Sequence, residues 1–138
     1  VVSGVCTGLG LGENARAAVI TRGIVEIIKV VEIMGGKRET AFGLTGIGDL
    51  IVTASSENSR NFTAGKKIGL GQTVEEIYAE QKQTIEGFRT IEAMHHLSLK
   101  HQVELPMINV AYDILFNGMK VSDGLQKLLS RDLKSEGF

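Results

Sequence analysis

A single cysteine, Cys6, occurs in 138 residues, so the chain cannot close an internal disulfide and offers no multi-cysteine metal site. That usage suits a reducing compartment. Neither sign of charge is in excess: 15 Lys plus Arg stand against 16 Asp plus Glu, a formal net charge of −1. Binding along a nucleic-acid phosphate backbone needs a basic face, and no Lys/Arg run supplies one. No apolar run approaches the roughly 18 residues that span a bilayer, because Arg22, Glu26, Lys29 and Glu32 interrupt the best candidate. The expectations are therefore no nucleic-acid partner, no membrane span and a cytoplasmic location. An initiating Met is also missing, and the apolar start Val1-Val2-Ser3-Gly4-Val5 has no basic segment that would make it a signal peptide. The chain reads as a piece of a longer protein.

What is present is an ordinary globular composition, 43% hydrophobic and 22% charged, in a length that fits one domain. Against one proline there are 17 glycines, clustered at Gly8–Gly12, Gly43–Gly48 and Gly65–Gly71. Ala17, Ile20, Ile24, Ile27, Val31 and Met34 recur at helical spacing and predict a long helix stopped by Gly35-Gly36. With Arg22, Glu26 and Lys29 as its polar stripe, this helix is expected at the buried centre; Arg16, near its first turn, finds no obvious place. Short helices and loops are expected from Lys37 to Gly71. Thr73-Val74-Glu75-Glu76 has capping-box form and starts a helix to about Ala79. Further helices are predicted over about 86–100, with Phe88, Ile91, Met94 and Leu97 inward, and from Pro106 to the Asn117-Gly118 stop. Ser122 is the expected cap of a last helix carrying Leu125, Leu128, Leu129 and Leu133. No alternating hairpin pattern appears, so the fold class is all-α, one domain over residues 1–138.

Few groupings carry chemistry. Gly10-Leu11-Gly12-Glu13-Asn14-Ala15 matches G-x-G-x-x-A, but no second strand with an acidic ribose ligand follows, so a Gly-rich turn into the long helix is preferred over a nucleotide site. If the segment after Gly48 is helical, Asp49 and Thr53 lie at i and i+4 and can face one site; the alternative is a capping Asp with a solvated Thr. Ser59-Arg60-Asn61 joins a forked cation to two neutral hydrogen-bonding side chains, a set suited to phosphate or carboxylate. His95, His96 and His101 lack metal-ligand spacing, and Cys6 lacks a base partner, so neither a metal nor a thiol nucleophile is expected.

Several motifs in order, Gly8-Leu9-Gly10-Leu11-Gly12-Glu13-Asn14-Ala15-Arg16-Ala17-Ala18, Gly46-Ile47-Gly48-Asp49-Leu50-Ile51-Val52-Thr53, Ser59-Arg60-Asn61, Glu86-Gly87-Phe88-Arg89-Thr90 and the closing Leu128-Leu129-Ser130-Arg131, resemble the C-terminal domain of bacterial-type NAD(P)-dependent glycerol-3-phosphate dehydrogenases. The resemblance implies a helical substrate domain like that of 6-phosphogluconate dehydrogenase, following an N-terminal Rossmann domain outside this chain. It implies interconversion of sn-glycerol 3-phosphate and dihydroxyacetone phosphate with NAD or NADP, feeding glycerophospholipid synthesis. By position, Asp49, Ser59, Arg60 and Asn61 would contact substrate. Arg60, Thr84 and Glu86 would touch the cofactor, and Asp49 and Thr53 would support a proton-transferring Lys that falls a few positions before Val1. Ala54 stands where many relatives have Cys. The fragment alone is expected to be inactive, its exposed interdomain face leaving room for a homodimer. The competing reading is a non-catalytic helical interaction module.

Overall fold

The computed structural model describes residues 1–81 and 83–130. Every regular element among them is helical: α1 (Val2–Gly8), α2 (Glu13–Ile33), α3 (Arg38–Ala41), a π-helical turn (Leu44–Gly48), α4 (Asp49–Ser55), α5 (Arg60–Gly69), α6 (Val74–Glu80), α7 (Glu86–His101), α8 (Pro106–Phe116) and α9 (Val121–Leu129). The all-α expectation holds. Arg131 and Leu133, assigned to the last helix and the closing motif, lie outside the described residues.

The tightest helix pair is α1 with α5, and glycine makes it so. Gly4 and Gly8 form one small face on α1, and Gly65 and Gly69 form another on α5. A Cβ at Gly4 would overlap the Phe62 carbonyl oxygen, at Gly8 that of Lys66, at Gly65 that of Val1 and at Gly69 that of Val5. Only backbone without side chains approaches this closely. Two glycines in seven residues weaken a helix by propensity, so the α1 segment carries no helical signal in sequence; packing against α5 overrides that weakness. Val5 and Cys6 of α1 then sit in the core with Ala64 and Ile68 of α5, Ile77 of α6, Phe88 and Ile91 of α7, and Leu105 and Ile108 at the start of α8.

The long helix α2 forms as predicted but not at the centre. Its buried residues include Val19, Gly23 and Glu26, whereas Ile20, Ile24, Ile27 and Val31 are half-buried and Met34 is 75% exposed. Apolar residues surround most of this helix, so periodicity found the period and missed the phase. The contact face runs through Val19, Gly23, Glu26 and Ile28, two of which pass for poor core material. Gly23 leaves room for Met107 of α8, whose Cε would lie 3.0 Å from a Cβ there. Glu26, expected on the solvated stripe, is 5% exposed. Its Oε1 accepts from Met107 N (2.6 Å) and its Oε2 from Ile108 N (3.0 Å). Pro106 opens α8 and has no N–H, and Leu105 cannot cap with its side chain. The first two free amides of α8 are thus satisfied by a carboxylate from another helix, where the dipole also favours an anion.

The remaining elements follow local chemistry. Thr73 and Glu76 form the reciprocal capping box. Gly118, at φ +72°, ends α8 as expected. Ser122 does not cap α9: the helix begins at Val121, with Lys120 as N-cap, because Val121 packs on the core and draws the first turn forward.

Two outcomes test this packing by chemical denaturation. Gly65→Ala is expected to cost about 3 kcal/mol, because backbone must move, whereas Gly12→Ser, in open space at an N-cap, stays within about 0.5 kcal/mol of the parent. Glu26→Ala is expected to cost about 3 kcal/mol and Glu26→Gln less, since Gln keeps one acceptor; a loss below about 1 kcal/mol for the alanine variant would contradict the capping role.

Candidate functional site

The path from Gly43 to Asn61 turns sharply twice. Gly46 lies in the π-helical turn, where a Cβ would overlap the Ala41 carbonyl oxygen, so the chain folds back tightly on α3 before α4 begins. Asp49 is the first residue of α4, with Gly48 as N-cap and no side-chain cap hydrogen bond. The capping role weighed for Asp49 is therefore not adopted. Its carboxylate is exposed where the π-helical turn passes into α4. Thr53 follows at i+4, also exposed, with its hydroxyl donating to Asp49 O (2.8 Å) and Leu50 O (3.2 Å). The C-terminal end of α4 is tied to α1 by Ser3, buried, whose Oγ donates to Ala54 O (2.6 Å).

Ser59 is the N-cap of α5, its Oγ accepting from Phe62 N at 3.4 Å. Arg60 and Asn61 are the first two residues of the helix; Arg60 reaches the segment before α7 and Asn61 the first turn of α7. The exposed Arg60 guanidinium donates to Gln83 Oε1, a neutral partner. Asn61 Oδ1 accepts from Gly87 N at 2.8 Å. Gly87 must remain small: a Cβ there would come within 2.7 Å of both Asn61 Oδ1 and Val1 Cγ2. Thr84 and Glu86 lie exposed on this same segment, Glu86 opening α7.

The candidate residues thus divide into two groups. Ser59, Arg60, Asn61, Thr84 and Glu86 gather where the start of α5 meets the start of α7, with Val1 packed alongside. Asp49 and Thr53 lie on α4, and no hydrogen bond joins them to the first group among the described residues. Gln83 and Gly87 were not assigned roles from sequence, although Gly87 stands in a quoted motif; the cue was an Asn next to an Arg at a helix start and a Gly just inside another.

The groups set aside in sequence have clear places. Cys6 is wholly buried, and burial pushes its thiol pKa up, against the opposing charge of Arg16 and a backbone hydrogen bond. Arg16, unplaced in sequence, holds its guanidinium 5.8 Å from the Phe62 ring centroid, with Nε buried and lacking a hydrogen-bond partner among the described residues. His95 bonds Asn109 Oδ1 through Nδ1 (2.9 Å) and stacks on Tyr112 at 3.8 Å between centroids. Among the described residues no helix is long and apolar enough to cross a membrane, and no three His, Cys, Asp or Glu side chains are grouped to hold a metal ion.

Comparison with known proteins gives one answer. The family model described as NAD-dependent glycerol-3-phosphate dehydrogenase C-terminus matches residues 1–126. A glycerol-3-phosphate dehydrogenase (NAD(P)+) of Acholeplasma laidlawii is 60% identical over 99% of this chain and 41% of its own length. Those of Phytoplasma mali and Carboxydothermus hydrogenoformans are each 46% identical over 99% of the chain, and 41% and 40% of their own lengths. A 2.1 Å crystal structure of glycerol-3-phosphate dehydrogenase from Coxiella burnetii superposes with a TM-score of 0.90 at 39% identity, covering 94% of this chain and 40% of that one. The chain spans about two fifths of the length of the relatives it matches. It belongs to the family of NAD-dependent glycerol-3-phosphate dehydrogenase C-terminal domains.

Proposed function

We propose that residues 1–138 are the C-terminal, substrate-binding domain of an enzyme that interconverts sn-glycerol 3-phosphate and dihydroxyacetone phosphate with NAD(H) or NADP(H), supplying glycerophospholipid synthesis. The observation that carries this reading is the meeting of the α5 and α7 N-termini, where an exposed arginine with no carboxylate partner among the described residues stands beside an asparagine. A phosphate ester needs a fixed cation and neutral donors, and helix N-terminal amides add to them. Arg60 and the Asn61 amide would hold the phosphate, with the Ser59 hydroxyl at the edge.

The nicotinamide cofactor, when bound, supplies or accepts the hydride. Fit for that group is found in the chemistry of the same corner: Arg60, Thr84 and Glu86 are exposed donors and acceptors on adjacent segments. Most of the cofactor would be bound by a nucleotide-binding domain preceding Val1 in the full enzyme. Ketone reduction also requires a proton for the developing alkoxide. A Lys in that preceding segment would deliver it. Asp49 would orient that Lys as its carboxylate partner. Thr53, whose hydroxyl hydrogen is committed to the α4 backbone, would serve as an acceptor. What bears on the placement of that Lys is that Val1 packs against Gly87, whose amide holds Asn61, at the edge of this corner. This domain alone would not turn over. The enzyme would work in the cytoplasm.

The test is cofactor oxidation by the full-length enzyme. Arg60→Ala is expected to raise the KM for dihydroxyacetone phosphate about 10- to 100-fold, the loss of a charged hydrogen-bonding partner. An enzyme indifferent to Arg60→Ala on the phosphorylated substrate would refute the assignment.

A further inference from the structure

We propose that Asn61 is a positioning residue for the cofactor-contacting segment as well as a ligand of the substrate, and that its two amide atoms divide these tasks. The proposal rests on the functional reading above and extends it from substrate to cofactor. The backbone N–H of Gly87 can only donate, so the Asn61 atom 2.8 Å from it is the acceptor Oδ1. That fixes the amide plane: Nδ2 is the atom left to face a ligand, and no described residue accepts from it. The half-buried side chain is therefore a donor only on its open side, matched to a phosphate or hydroxyl oxygen.

On its closed side, Asn61 does for α7 what α7 cannot do for itself. The N-cap of this 16-residue helix is Ile85, which has no polar side chain, so the Gly87 amide relies on a partner from α5. Glu86 precedes Gly87 directly, and Thr84 lies two residues further back. Holding the Gly87 amide therefore sets where Glu86 and Thr84 stand relative to Arg60, whose own bond to Gln83 ties the same segment one turn earlier. Residue 87 has to be glycine for this contact, because a Cβ would crowd Oδ1 to 2.7 Å.

Asparagine and aspartate differ here in a useful way. Aspartate keeps an acceptor toward Gly87 N, and a carboxylate is favoured at a helix N-terminus, yet it replaces the outward donor with an anion. In the full-length enzyme, Asn61→Ala is expected to raise the KM for both the nicotinamide cofactor and dihydroxyacetone phosphate about tenfold or more, one lost hydrogen bond on each side. Asn61→Asp is expected to restore the cofactor KM to within about twofold of the parent, while the KM for dihydroxyacetone phosphate stays raised at least about tenfold. Amide hydrogen exchange over 83–90 gives a readout apart from activity: protection falls in Asn61→Ala and returns in Asn61→Asp. A cofactor KM and exchange protection unchanged by Asn61→Ala would overturn the proposal, as would failure of Asn61→Asp to restore both. A parent enzyme that consumes no dihydroxyacetone phosphate would instead overturn the functional reading, and the exchange result would then decide the capping role alone.

Discussion

The backbone contact between α1 and α5 is the constraint on which the rest of this domain is built. Four glycines, Gly4 and Gly8 against Gly65 and Gly69, let two short helices touch carbonyl to Cα with no side chains between. Neither helix is long enough to be stable alone. Together they form a rigid pair whose outer faces carry Val5, Cys6, Ala64 and Ile68 into the core. The same pairing fixes where the first turn of α5 lies relative to Val1, and so places Ser59, Arg60 and Asn61. A site for an anionic substrate tolerates little positional error, and close backbone packing is a stiff way to hold it.

A second device recurs: one helix ends another. Among the described helices only α5 and α6 are capped by their own N-cap side chain. Glu26 of α2 satisfies the amides of α8, Asn61 of α5 holds the start of α7, and Arg22 of α2 donates to the Leu128 carbonyl near the end of α9. Each net contribution is modest, but leaving the partner amide or carbonyl buried and unmet costs more. Such caps also impose register. The helices cannot slide without breaking them, and the candidate-site segments at 59–61 and 83–87 are locked to the core by the same bonds that complete the helices.

The parts of this structure written in local patterns were legible. The Thr73–Glu76 box, Pro106 at a helix start, the Gly118 stop and the helical period of α2 each have a cause confined to a few neighbouring residues. The parts set by distant partners were not. Helix α1 is invisible because its glycines look like a loop until α5 supplies the matching face. The phase of α2 was misjudged because its contact face, Val19, Gly23, Glu26 and Ile28, includes a glycine and a carboxylate that no hydrophobic pattern selects. Ser122 lost the capping position because Val121 is drawn onto the core. At the site, the ordered motifs marked Arg60, Asn61 and Glu86 by residue type, whereas the pairing of Asn61 with Gly87 and of Arg60 with Gln83 depends on how α5 and α7 meet, which no linear spacing reports.

We propose that the start of α5, held by α1 on one side and by α7 on the other, receives the phosphate of the substrate. A crystal structure of the full-length enzyme with sn-glycerol 3-phosphate bound tests it most directly. The account predicts the phosphate within hydrogen-bonding distance of the Arg60 guanidinium and Asn61 Nδ2, with Asn61 Oδ1 still accepting from Gly87 N. A phosphate bound away from these residues, or an Asn61 amide turned from Gly87 to meet it, would contradict the account.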